Sequence, residues 1–225
     1  LTSISAGTLQ IGDGGTTGSL GTGSVAVTGT LAFNRSDDIT VSNVISGTGG
    51  VVQAGTGTTS LTGANSYAGL TTISAGTLQV GIGGAAGTLG SGAVSNNATL
   101  ALNRSDAVTV ANAISGAGAL SLVGAGTTSL TGANTYSGLT SISAGTLQIS
   151  DGGTTGTLGT GATTNDASLL FNRSDALTIA SAISGAGVVN QIGTGTTSLT
   201  GANSYSGTTT ISAGTLSVGA GGTSG

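Results

Sequence analysis

Short runs of alternating apolar and small polar residues follow one another along the whole chain, and glycine-rich turns separate them. In residues 73–141 the runs are Thr77-Leu78-Gln79-Val80, Ala98-Thr99-Leu100-Ala101-Leu102, Val108-Thr109-Val110, Leu120-Ser121-Leu122 and Thr127 to Thr131. A period of two over three to five residues predicts strands with one buried face. Asn103 to Asp106, Ser115 to Gly118 and Gly132 to Asn134 predict turns, and Gly81 to Gly92 a glycine-rich loop. Glycine belongs where a turn needs a positive φ. No segment holds a helical period over ten or more residues, so the chain reads as all-β.

The pattern itself repeats. Ile-Ser-Ala-Gly-Thr-Leu begins at Ile4, Ile73, Ile142 and Ile211; Asn-Arg-Ser-Asp at Asn34, Asn103 and Asn172; Leu-Thr-Gly-Ala-Asn at Leu61, Leu130 and Leu199. Every one of these intervals equals the step from Ile4 to Ile73. A solenoid keeps such a period because each unit meets a neighbour like itself, whereas the strands of a sandwich are inequivalent. The expected organisation is one repetitive segment over 1–225, with a partial unit 1–72, full units 73–141 and 142–210, and a partial unit 211–225. Inside a unit the Thr-Leu signature recurs at Leu9, Leu31 and Leu78. That spacing predicts rungs of about 23 residues, three to a repeat, with equivalent residues stacked about 14 Å apart at the spacing of neighbouring strands.

Composition supports this reading. The 225 residues include 45 glycines, three Arg and seven Asp, with no Pro, Cys, Met, Trp or His. Two Phe and three Tyr cannot fill a sandwich core, whereas a narrow solenoid core suits Leu, Ile, Val and Ala. Disordered chains combine low hydropathy with high net charge; here the mean hydropathy is +0.37 and only 4% of residues are charged. A net charge of −4 with three widely spaced Arg argues against nucleic acid, which needs clustered cations. No apolar run reaches the roughly 18 residues that a helix needs to span a membrane.

Residues 195–216, Gly-Thr-Thr-Ser-Leu-Thr-Gly-Ala-Asn-Ser-Tyr-Ser-Gly-Thr-Thr-Thr-Ile-Ser-Ala-Gly-Thr-Leu, resemble the autotransporter-associated β-strand repeat of bacterial passenger regions. The motif returns at 57–78 and 126–147, and its end stands at residues 1–11. The resemblance implies a right-handed parallel β-helix, secretion across the outer membrane and display outside the cell. It also implies a repeat that assists transport. The lack of Cys is similar to what such passengers show.

Candidate chemistry is sparse. Asn-Arg-Ser-Asp is the charged motif, read either as a carbohydrate-contacting Arg–Asp pair or as a solenoid corner in which Arg35 pairs with Asp37 or Asp38. Glycoside cleavage needs two carboxyl groups about 5–10 Å apart, but Ala107 and Ala176 replace Asp38 in the later copies. Asp13 and Asp151 in glycine-rich loops are poor provision for calcium, and Val80-Gly81-Ile82 lacks the acid. The doublet Thr71-Thr72 and the run Thr208 to Thr210 suggest a threonine face, read as ordinary strand preference. Tyr67, Tyr136 and Tyr205 follow Ala-Asn at one offset and are expected to anchor that turn. No catalytic residue, cofactor or metal ligand is assigned. The expected role is structural and non-enzymatic, as stalk, adhesin or fibre segment on a bacterial surface. The alternatives are a self-assembling filament or a carbohydrate-binding or carbohydrate-processing β-helix. Candidate partners are a second copy of the chain or a host or surface polysaccharide.

Overall fold

The computed structural model describes residues 1–219. They form 26 strands of two to four residues and no helix. Among the described residues no helix is long and apolar enough to cross a membrane. All pairings are parallel and join strands roughly one turn apart in sequence, as Thr77–Val80 pairs with Thr58–Leu61 and Thr99–Leu102. The chain is a parallel β-helix, and the all-β solenoid expected from the pattern is what forms.

The winding differs from the expectation. One face can be followed from Leu9 upward through Leu31, Val51, Thr71, Val94 and Ile114. It passes the non-strand segments at Asn134 and Thr157 and resumes at Leu177, Thr197 and Leu216. Ten such steps lead from Leu9 to Leu216, an interval of three full repeats. One repeat therefore makes three and one-third turns, and the average turn is shorter than the expected rung. The expected 23-residue rung, three to a repeat, is corrected by this register. Long steps occur where a turn carries the glycine-rich loop, as from Thr77 to Thr99 and from Thr71 to Val94. Leu9 and Leu31 do stack, but Leu31 next stacks on Val51, which carries no Thr-Leu signature.

Equivalent residues consequently do not form rows. Thr8–Ile11, Thr77–Val80 and Thr146–Ile149 carry one motif and lie in three different sheets. Each repeat is turned by a third of a revolution from the one before. Thr215–Val218 completes the circle, ten turns above Thr8–Ile11 and on the same face.

Inside the helix the period-two alternation is obeyed. Leu78, Leu120, Leu147 and Leu169 are fully buried, and Gln79, Ser121, Gln148 and Leu170 beside them are partly exposed; beside the buried Leu100 the small Ala101 is covered as well. The buried leucines belong to one apolar core running the length of the rod. Phe33 and Phe171 fill the place that Leu102 takes in the middle repeat. Tyr67 and Tyr136 are buried, and their hydroxyls share 2.8 Å hydrogen bonds with Thr71 and Thr140. The threonine doublet is thus divided: Thr71 points inward as a partner for the phenol, and Thr72 outward. Gly145, at φ 65°, makes the tight turn between Thr140–Ile142 and Thr146–Ile149, a conformation that carries little cost for glycine.

This packing can be tested in two ways. With about five residues to a side and about 3.3 Å per residue, neighbouring corners of a turn stand roughly 17 Å apart. Combined with a rise of about 16 Å per repeat at about 4.8 Å per turn, spin labels on Ser36→Cys and Ser105→Cys should lie roughly 23 Å apart or more. A row of repeats stacked on one face would give about 14 Å. Burial raises the pKa of the Tyr67 and Tyr136 phenols, partly offset by the threonine bonds. A raised folded-state value means that their contribution is whole below pH about 10, the ordinary tyrosine value, and is lost above it. Replacing both by Phe should cost about 1 kcal/mol per lost hydrogen bond at neutral pH. It should also flatten the fall in stability between about pH 9 and 11.5, measured by denaturant titration at each pH. An unchanged slope would refute this assignment.

Candidate functional site: a ladder gap repeated on three faces

The Asn-Arg-Ser-Asp corner is an internal clamp. Arg35 donates from Nε and Nη2 to the two carboxylate oxygens of Asp37, both at 2.8 Å, and from Nη1 to the carbonyl of Gly18. Arg104 grips Asp106 and Gly87, and Arg173 grips Asp175 and Gly156, in the same way. The three arginine side chains are only 9–11% exposed. Hydrogen bonding from the guanidinium holds all three aspartates below the usual carboxylate range. Asp38 is not part of the clamp; it accepts from the Thr58 backbone N–H at 3.0 Å. Of the two pairings open to Arg35, the structure has the one with Asp37.

Each clamp ties down the glycine-rich loop of the turn below, and between loop and next strand the ladder is interrupted. Val108–Val110 pairs upward with Thr128–Leu130, but its lower edge ends a sheet. Among the described residues no backbone hydrogen bond joins that edge to residues 88–91 beneath it. The same break lies under Ile39–Val41 and under Leu177–Ile179. Cavities of about 470, 250 and 270 Å³ occupy the three gaps. The first is walled by Val80, Leu89, Leu102, Val108 and Val110, with Thr109 exposed at its mouth. The second has Leu20, Phe33, Ile39 and Val41; the third Leu158, Leu177 and Ile179.

Side chains replace the missing backbone bonds. At one end stands the arginine clamp on Gly87 or its equivalent. At the other, Asn112 donates to the carbonyls of Gly90 and Gly92 at 2.8 and 2.5 Å, as Asn43 does to Gly21 and Gly23 at 2.7 and 2.5 Å. The third gap lacks this strut. Ser181 stands in the asparagine position, too short to reach Gly159 or Gly161, and its buried hydroxyl has no partner. Below the second and third loops the Leu-Thr-Gly-Ala-Asn turn supplies a further strut. Asn65 accepts from the Ile45 N–H at 2.9 Å and donates to the Thr88 carbonyl at 2.8 Å, bridging two turns where no strand forms. Asn134 repeats this with Ile114 and Thr157. Glycine is required at Gly90 and Gly159, because a Cβ there would overlap the rings of Tyr67 and Tyr136.

With this geometry in hand, comparison with known proteins places the chain. The passenger-associated-transport-repeat family matches three times, over residues 51–80, 120–149 and 189–218. The chain carries three passenger-associated transport repeats. It is also 35% identical over 203 residues to the adhesin BmaC autotransporter of Brucella suis biovar 1 (strain 1330). That alignment covers 81% of this chain and 6% of the relative, so the chain spans only a small part of that protein's length. No solved structure matches.

The matched passenger repeat holds the Asn strut, the buried tyrosine with its threonine partner, and the strands on either side of them. The roof strand of each gap and the arginine clamp fall in the intervening residues. Chemically, the gap offers aliphatic walls, an open strand edge and a threonine hydroxyl. The guanidinium beside it is already committed to a carboxylate and a carbonyl. Among the described residues no three acidic side chains cluster where a metal could bind. The sequence showed the clamp through its charge, but the gap was invisible, because a missing ladder bond depends on which turns stack.

Ser181→Asn should restore the strut of the third gap. Two hydrogen bonds to buried carbonyls and removal of the unpaired hydroxyl predict a local gain of about 1 kcal/mol, roughly fivefold slower amide exchange across residues 157–181. Unchanged exchange there would show that the strut does not hold the loop.

Proposed function

We propose that this chain is a rod-like, surface-displayed portion of an autotransporter adhesin passenger, acting as stalk and adhesive surface without catalysing a reaction. The observation that supports it best is the coincidence of three passenger repeats with a relative named as an adhesin autotransporter, aligned along four-fifths of the chain. The architecture suits the role. Parallel ladders give stiffness along the axis, and ten turns between Leu9 and Leu216 rise about 48 Å at about 4.8 Å per turn. Neutral hydroxyls and amides dominate the surface, and the three arginines are tied inside the corners. Adhesion by such a surface works through many weak contacts whose effects combine when several engage together.

The test is an in-frame deletion of this segment in the parent protein, with an antibody to the segment applied to intact cells. Labelling of intact parent cells, together with a several-fold loss of attachment to a host-cell or abiotic surface in the deletion strain, is the expected result. Absence of labelling would refute surface display. Labelling with unchanged attachment would refute the adhesive part.

A further inference from the structure

The three gaps share one plan but not one size. The middle cavity measures about 470 Å³, against about 250 and 270 Å³ for the other two. Its walls are trimmed in three places. Val80 stands where the other repeats have Ile11 and Ile149, Leu102 where they have Phe33 and Phe171, and Val108 where they have Ile39 and Leu177. Relative to either copy this removes five side-chain carbons, one at Val80, three at Leu102 and one at Val108. Val80 and Leu102 stack on each other in neighbouring turns, as Ile11 does with Phe33 and Ile149 with Phe171, and Val108 roofs the gap. Three reductions thus fall on one space, and the largest takes away a phenyl ring. Apolar volume removed and not refilled destabilises a fold, and a cavity with such walls takes up aromatic guests such as benzene. Pockets for small molecules hold about 300–1,000 Å³, a range that the middle gap reaches and the other two do not.

The polar part of the gap is its strand edge. The Thr131 N–H donates to the Val110 carbonyl at 3.1 Å, so Val110 is bonded to the turn above. Successive residues of a parallel strand bond to opposite sides. The N–H and carbonyl of Thr109 therefore face the gap, where no backbone partner from residues 88–91 meets them. No ionisable side chain lines the cavity. We propose that the middle gap is a binding site for a small neutral aromatic molecule of one or two fused rings. Its ring lies against Val80, Leu102 and Val108, and its one polar group hydrogen-bonds to the backbone edge at Thr109. The larger residues at these positions close the other two gaps to it. A carboxylate or ammonium on the ring would lose water here without gaining a counter-charge, so charged relatives are rejected. This site is independent of the adhesive reading.

Indole is the probe: it is neutral, has two fused rings and carries one N–H. The chain has no Trp, so indole fluorescence reports the ligand alone. Titration should saturate at one indole per chain, and benzoate, with a charge on its ring, should bind at least about tenfold more weakly. The triple variant Val80→Ile, Leu102→Phe, Val108→Ile installs the residues of the first repeat, and it should weaken indole binding at least about tenfold. A second measurement needs no variant. In the unaltered chain with labelled Val and Leu methyl groups, nuclear Overhauser contacts should run from the indole ring to Val80, Leu102 and Val108. If the triple variant does not fold, these contacts decide. Absence of saturable binding up to the solubility limit of indole would overturn the proposal. So would contacts to methyl groups elsewhere, equal affinity for benzoate, or a folded triple variant that binds indole unchanged.

Discussion

The parallel backbone ladder is the constraint from which the rest of the molecule follows. A strand in the middle of the rod is satisfied only if a strand of similar length lies above and below it, in register, with its apolar side chains pointing the same way. The chain meets this condition with turns of unequal length, because extra residues can be pushed out as glycine-rich loops without disturbing the sides. One repeat holds ten sides, counting the non-strand segments braced by Asn65 and Thr88, and ten does not divide by three. The rotation between repeats is the arithmetic remainder of that division.

Where the ladder cannot continue, polar side chains take over. Asn65, Asn112 and Arg104 each reach 17 to 23 residues along the sequence to a backbone carbonyl of the preceding or following turn. A buried carbonyl without a donor is costly, so these struts are what allow the loops to leave the ladder at all. The arginines illustrate the same economy of charge: the Arg104 guanidinium commits three of its five N–H donors to two carboxylate oxygens and a carbonyl, and the pKa of its aspartate is lowered by that bond. Their task is architectural.

Much of this is legible in the amino-acid sequence. Strands at Thr77–Val80, Val108–Val110 and Thr127–Leu130 follow from alternation, because in a narrow core each inward position must be apolar. The burial of Leu78 and the anchoring role of Tyr67 were legible for the same reason. The winding was not. Leu9 and Leu31 truly stack, and extending their interval to the whole repeat gave three rungs in place of three and one-third. The interval is set by local loop length, and only the complete set of pairings reveals the mean. The strand Val94–Asn96 has a single apolar residue and so no alternation to show it; its Asn96 is fully buried, donating to the Ala119 carbonyl at 2.8 Å. Nor could the sequence show that Thr71 is an inward partner for a phenol, since its neighbour Thr72 is chemically the same and points to solvent.

One feature of the register reaches into the history of the gene. The same ten-side sequence folds with the same pairings on each of the three faces: Thr8 with Thr30, Thr77 with Thr99, Thr146 with Ser168. The core therefore places no condition on which face a repeat begins. Unequal crossing-over between near-identical repeats can add or remove whole units without any compensating substitution, lengthening the rod in fixed quanta. Each such event also swings everything beyond it to a new bearing, so that chains differing by one copy would present the same distal surface in different directions relative to the turns before it.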